Sequence, residues 1–173
     1  MRRLARVIDA VSEAGGRLSA WIFFAIGLSI TFEVVMRYVF TAPTIWVDEI
    51  SRILQVWAAY LAAAYVLKHR AMVTIEVFFE DPTTLRRRLA ETLGLVMLFL
   101  FAGVAVYHGF GLWLKATLAG HTTDSFLAPP KWFTEASIWV GFGLLFLQGL
   151  VELWRIWTEG IPLDDDDPAA GTH

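Results

Sequence analysis

The chain has no cysteine. Disulfides, thiolate metal centres and iron–sulfur clusters are therefore excluded, and cysteine usage says nothing of redox compartment. Charge is scarce too. Asp, Glu, Lys and Arg make up 18% of the 173 residues, against about 25% in ordinary soluble domains. The net charge is −3, and four of the seventeen acids form one run, Asp164 to Asp167. The rest is about neutral, so bulk charge points to no nucleic-acid partner. Histidine is limited to His69, His108, His121 and His173. There is no His-Glu-x-x-His metal spacing, no phosphate-binding glycine loop and no nucleophile beside a base. The chain reads as a non-enzyme with no cofactor. It also shows no internal repeat, which argues against a self-contained inverted-repeat transporter.

Apolar residues are abundant. They reach 57%, with thirteen Phe and eight Trp. A bilayer core about 30 Å thick takes about 20 mostly apolar residues as a helix. Four stretches meet this, at about Leu18–Phe40, Trp46–Leu67, Thr92–Leu114 and Trp132–Trp154. A soluble helical protein would show polar stripes at helical spacing, and Leu93 to Val106 shows none. The fold class expected is an all-α integral membrane protein with four transmembrane helices. A cleaved signal peptide is not expected, because the first apolar run ends in Glu33, Arg37 and Tyr38 rather than in a small-residue cleavage site.

Lys and Arg near span ends set orientation. Arg2, Arg3, Arg6 and Arg17 flank the first span, and Lys68, Arg70, Arg86, Arg87 and Arg88 lie between the second and third. Thr41 to Ile45 has none, and the third connection has Lys115 and Lys131. Both termini are thus expected in the cytoplasm. Arg86, Arg87 and Arg88 read as topology signal and lipid-headgroup contacts. Residues 1–160 form one transmembrane domain, and 161–173 an acidic disordered tail.

The connections carry their own signals. Pro43 stops the first helix, and Thr44 is placed to cap the second. Arg70 to Asp81 is apolar but too short to span, and reads as an interfacial segment. Asp81-Pro82 marks a new helix start. Gly120 suits a helix C-terminus, and Pro129-Pro130 delays the last helix until Lys131.

Ionisable groups inside a span cost about 2.5–3.5 kcal/mol or more, so each needs a reason. Glu33 and Arg37 are four apart on span one, as are Asp48 and Arg52 on span two. With Glu49 they would sit at similar depth near the outer turn. They read either as structural pairs with snorkelling side chains or as a polar contact with another membrane protein. Glu33 is the strongest single candidate, and Gln55 extends the same face. Three acids and two bases leave about one negative charge, for a partner's cation, a lipid headgroup or water to meet.

The stretch Arg37-Tyr38-Val39-Phe40, Pro43, Trp46-Val47-Asp48-Glu49-Ile50-Ser51-Arg52 and Trp57 resembles the small, DctQ-like permease subunit of tripartite ATP-independent periplasmic (TRAP) transporters. Weaker similarity runs through His69-Arg70, Val73-Thr74-Ile75-Glu76, Pro82, Leu85-Arg86-Arg87, Pro130-Lys131-Trp132 and Gly141-Phe142-Gly143. Departures are Leu61-Ala62-Ala63 where a glycine is usual, Met72 in place of a histidine, and Glu76 in place of Asp. The resemblance implies a scaffolding component of a bacterial inner membrane importer. Its partners would be a large permease subunit, which carries an organic acid or similar solute with sodium ions, and a periplasmic substrate-binding protein. The alternative is a membrane anchor for a haem or quinone redox complex, which needs a second buried histidine besides His108. A free-standing four-helix transporter is a third reading.

Overall fold

The computed structural model describes residues 2–69 and 85–158, with the side chains of Arg2, Arg86 and Arg87 left aside. Four helices account for nearly all of it: α1 (Arg2–Tyr38), α2 (Trp46–Lys68), α3 (Leu85–Ala119) and α4 (Lys131–Thr158). All four are long and apolar enough to cross a membrane. Each expected span lies within one of them, apart from the last two residues of the first, Val39 and Phe40. The interfacial segment, the Asp81-Pro82 helix start and the acidic tail fall outside the described residues.

At 1.5 Å per residue, the 35–37 residues of α1 and α3 run over 50 Å, well beyond a 30 Å hydrocarbon core. The excess in α1 precedes Leu18, and that in α3 lies mostly before Thr92. Asp9 of α1 meets Arg155 of α4, and Glu13 of α1 meets Lys68 of α2. Those helix ends therefore share one end of the molecule, here called the terminal end. The α1–α2 and α3–α4 connections lie at the other, the loop end.

The helices stand in a row rather than in a closed bundle. α3 packs along α4, α4 along α2 and α2 along α1, while α1 touches α4 over a shorter stretch. Among the described residues the α3 backbone comes close to neither α1 nor α2, although Leu95 of α3 joins Leu67 of α2, Leu145 and Ile156 in one buried cluster. α4 is accordingly the best covered helix, with Gly141, Leu145, Gln148, Val151, Glu152 and Ile156 buried along it.

Small residues set the close approaches. A Cβ on Gly141 would lie 2.4 Å from Cβ of Tyr60, and one on Gly16 would lie 2.3 Å from Cγ of Tyr65. Glycine lets α4 and α1 each close on α2, as expected where van der Waals packing drives association in lipid. Ala58 and Ala64 of α2 are fully buried. Aromatic rings fill the α3–α4 seam, where Phe110 and Trp113 surround Trp139.

Both loop-end connections are tightly built. α3 ends at Gly120 (φ +62°), with His121 N–H donating to Ala116 at 3.1 Å. This is the left-handed glycine terminus read from the sequence. Thr123 N–H donates to Pro129 and Lys131 N–H to His121, which closes the loop on itself before α4 starts at Lys131.

Candidate functional site

The five charged residues singled out at the loop end are divided among three sets of bonds. Glu33 is buried and accepts two bonds from Arg37, at 2.7 and 3.1 Å. Its second oxygen accepts the Thr44 N–H at 2.8 Å and the Thr44 hydroxyl. The expected cap by Thr44 is therefore not made, and the residue before α2 gives no side-chain cap. The carboxylate is a charged acceptor and takes both Thr44 donors, since charge-assisted bonds are roughly twice as strong as neutral ones. Glu33 thereby holds the turn that leads into α2.

Glu49 is also buried. It accepts the Leu127 N–H at 3.1 Å and the Ser125 hydroxyl. It anchors the α3–α4 connection to α2. Its carboxylate is hydrogen-bonded by neutral donors of the same chain.

Asp48 and Arg52 form the third set. Arg52 Nη2 lies 2.6 Å from Asp48 Oδ2, and both side chains are 71% exposed. Arg37 is 54% exposed. Gln55, one turn beyond Arg52, is exposed as well. The backbone thus turns two acids inward and leaves Arg37, Asp48 and Arg52 facing out.

The terminal end holds a second polar network that the sequence reading missed. Gln148 is fully buried in α4, donates to Asp9 at 3.0 Å and to Glu152 at 3.3 Å, and accepts the Ser12 hydroxyl at 2.8 Å. Arg155 bridges Glu152, at 2.8 Å, and Asp9. Beside it Glu13 accepts Lys68 Nζ at 2.7 Å and contacts His69 Nε2 at 3.0 Å. Those bonds, Lys68 first, hold the Glu13 carboxyl down to about 2 from its ordinary 4.5. A signal existed: Gln148, Glu152 and Arg155 recur at i, i+4 and i+7 in an apolar helix, and Asp9, Ser12 and Glu13 share one face of α1.

Arg88 is half-buried, and its Nε has no hydrogen-bond partner among the described residues. Arg86 and Arg87 sit beside it in the first turn of α3. His69, His108 and His121 are all exposed. His69 packs on Tyr65 at 4.3 Å, and His108 on Tyr107 at 5.3 Å.

Four helices long and apolar enough to span define a multi-pass membrane protein. Residues 26–159 match the DctQ component of tripartite ATP-independent periplasmic transporters, and the chain belongs to that family. It is a small permease component of a transporter, not an enzyme. It is 24% identical over 135 residues to the isethionate TRAP transporter permease protein DctMQ of Oleidesulfovibrio alaskensis. That match covers 75% of this chain and 21% of the relative, so the chain spans about a fifth of that relative's length.

Proposed function

We propose that this chain is the scaffolding membrane subunit of a binding-protein-dependent importer in the bacterial inner membrane. It stands beside a larger permease subunit that moves an organic acid or similar solute, driven by an ion gradient, with sodium as the coupling ion. A periplasmic substrate-binding protein delivers the solute. Both termini face the cytoplasm, as the Lys and Arg asymmetry indicates.

The observation that carries this reading is the row of helices. The backbone of α3 approaches neither α1 nor α2 closely, and most described residues of α1 and α3 are exposed. Such a shape suits lying against a second membrane body. The likeness to DctMQ supports the same reading, because the matching region there occupies a fifth of a much longer permease polypeptide.

The loop-end residues Glu33, Arg37, Asp48, Glu49 and Arg52 contribute to the contact with the larger subunit. Glu33 and Glu49 act from behind, by fixing the two connections. Arg86, Arg87 and Arg88 meet the inner lipid headgroups. The test is purification of the affinity-tagged full chain from cells that co-express the larger subunit. Stoichiometric recovery of the larger subunit is expected. A chain that purifies alone under conditions where both are folded would overturn the assembly.

A further inference from the structure

α2 is covered by α1 and α4 through Ala58, Ala64 and Leu67, and leaves a different side open. Along that side Asp48, Arg52, Gln55 and Ala59 recur at i, i+4, i+7 and i+11, and all four are exposed. The stripe is polar near the loop end and small further in. Gln55 lies about 14 Å along the helix from Trp46, deep for an exposed amide on a span. An exposed ion pair and amide at such depth call for a polar neighbour other than lipid tails.

The sign of that neighbour follows from what is already engaged. Glu33 and Glu49 are buried and hydrogen-bonded within the chain. Of the five residues, those left facing out are two guanidiniums and one carboxylate, Arg37, Arg52 and Asp48. Arg37 uses Nε and Nη2 on Glu33, and Arg52 uses Nη2 and Nε on Asp48. The Nη1 of each makes no hydrogen bond among the described residues. A guanidinium carries five N–H donors, so each has directional capacity to spare. An outward excess of cation is complemented by an acid.

Building on the assembly proposed above, we propose that the Asp48–Arg52–Gln55–Ala59 stripe docks a transmembrane helix of the larger subunit, and that an Asp or Glu on that helix meets Arg52 and Arg37. Ala59 lets the two backbones approach closely beside that contact. The docking face therefore recognises an acid rather than a base, and Glu33 and Glu49 hold it in shape without touching the partner.

The experiment compares Arg52→Glu and Asp48→Asn in the full chain, co-expressed with the larger subunit. Recovery of the larger subunit and thermal stability of the variant chain are read together. Arg52→Glu is expected to lower recovery by about tenfold, because like charges across an interface oppose association. Asp48→Asn enlarges the cationic excess and is expected to raise the salt concentration needed to strip the larger subunit from the chain. Both variants should keep the wild-type melting temperature within a few degrees, because the pair is exposed. An acid-to-lysine change on one helix of the larger subunit should restore recovery with Arg52→Glu. If Asp48→Asn is the variant that fails and Arg52→Glu is not, the partner is a base, and the inference falls while the assembly stands. If neither affects recovery, this face is not the contact. If Arg52→Glu leaves recovery intact but abolishes flotation with phosphatidylglycerol vesicles, the occupant is a lipid phosphate, and the inference is overturned. A wild-type chain that never recovers the larger subunit removes the assembly itself.

Discussion

Glu49 of α2 accepts the backbone N–H of Leu127 at 3.1 Å, across 78 residues of chain. Through that bond and the Ser125 hydroxyl, a carboxylate on the second helix fixes the connection between the third and fourth. Glu49→Gln should remove about 1.5–3 kcal/mol, the usual worth of hydrogen bonds to a charged group. A cysteine placed at Phe126 should then react faster with a membrane-impermeant maleimide. Unchanged labelling and an unchanged melting temperature would show that the loop does not depend on Glu49.

The terminal end predicts a larger effect from a single cation. Arg155 sits between Asp9 and Glu152, and Glu152 is only 4% exposed. Arg155→Ala leaves two carboxylates together around a fully buried Gln148. Removing one partner of a buried pair costs about 3–5 kcal/mol. The exposed Asp48–Arg52 pair offers the control, since Arg52→Ala should cost about 1 kcal/mol or less. Thermal unfolding of both variants in one detergent checks the order. Equal losses would mean that the terminal network does not hold α1 to α4.

Glu13 makes stability depend on acid. It precedes the apolar stretch that starts at Leu18, and Lys68 and His69 lower its carboxyl to about 2. A lowered folded-state value means that the carboxylate is favoured in the folded chain. Its contribution is fully present above the ordinary 4.5 and is lost as pH falls toward 2. The stability difference between wild type and Glu13→Gln should therefore be flat above about pH 5 and shrink below it. A difference that grows on acidification would contradict the assigned contacts.

Orientation is checked by reporter fusions. Fusions after Arg88 and after Glu159 should report cytoplasm, and one within Thr122–Ser125 should report periplasm, because Lys and Arg crowd the terminal end. A periplasmic signal after Arg88 would reverse the molecule in the membrane.

The number of spans and the limits of α2 were legible because the length of an apolar run is a local property, whereas α1 and α3 begin well before the apolar runs that revealed them. Gly120 and Pro129-Pro130 marked the ends of α3 and α4 for the same reason: their effect is on their own backbone. The pairs Glu33–Arg37 and Asp48–Arg52 were legible from a spacing of four. What was not legible depends on which faces meet. Nothing in one helix says that the α3 backbone stays away from α2, so the row arrangement had to come from the structure. Ser12 and Gln148 are 136 residues apart and signal only as small polar interruptions in apolar helices. Thr44 shows how a local rule loses. Its hydroxyl suits a cap, but a buried carboxylate eleven residues earlier takes it first. Glu49 was grouped with its neighbours by depth, yet its side chain turns to a loop that sequence spacing could not bring near.

The central claim is that this chain transports only as part of a larger assembly, and reconstitution tests it most directly. Proteoliposomes are prepared with this chain alone, with the larger subunit alone and with both, then supplied with solute-loaded binding protein and an inward sodium gradient. Uptake of labelled solute is expected only when both subunits are present, at least about tenfold above either alone. Equal uptake by the larger subunit alone, or any uptake by this chain alone, would contradict the account.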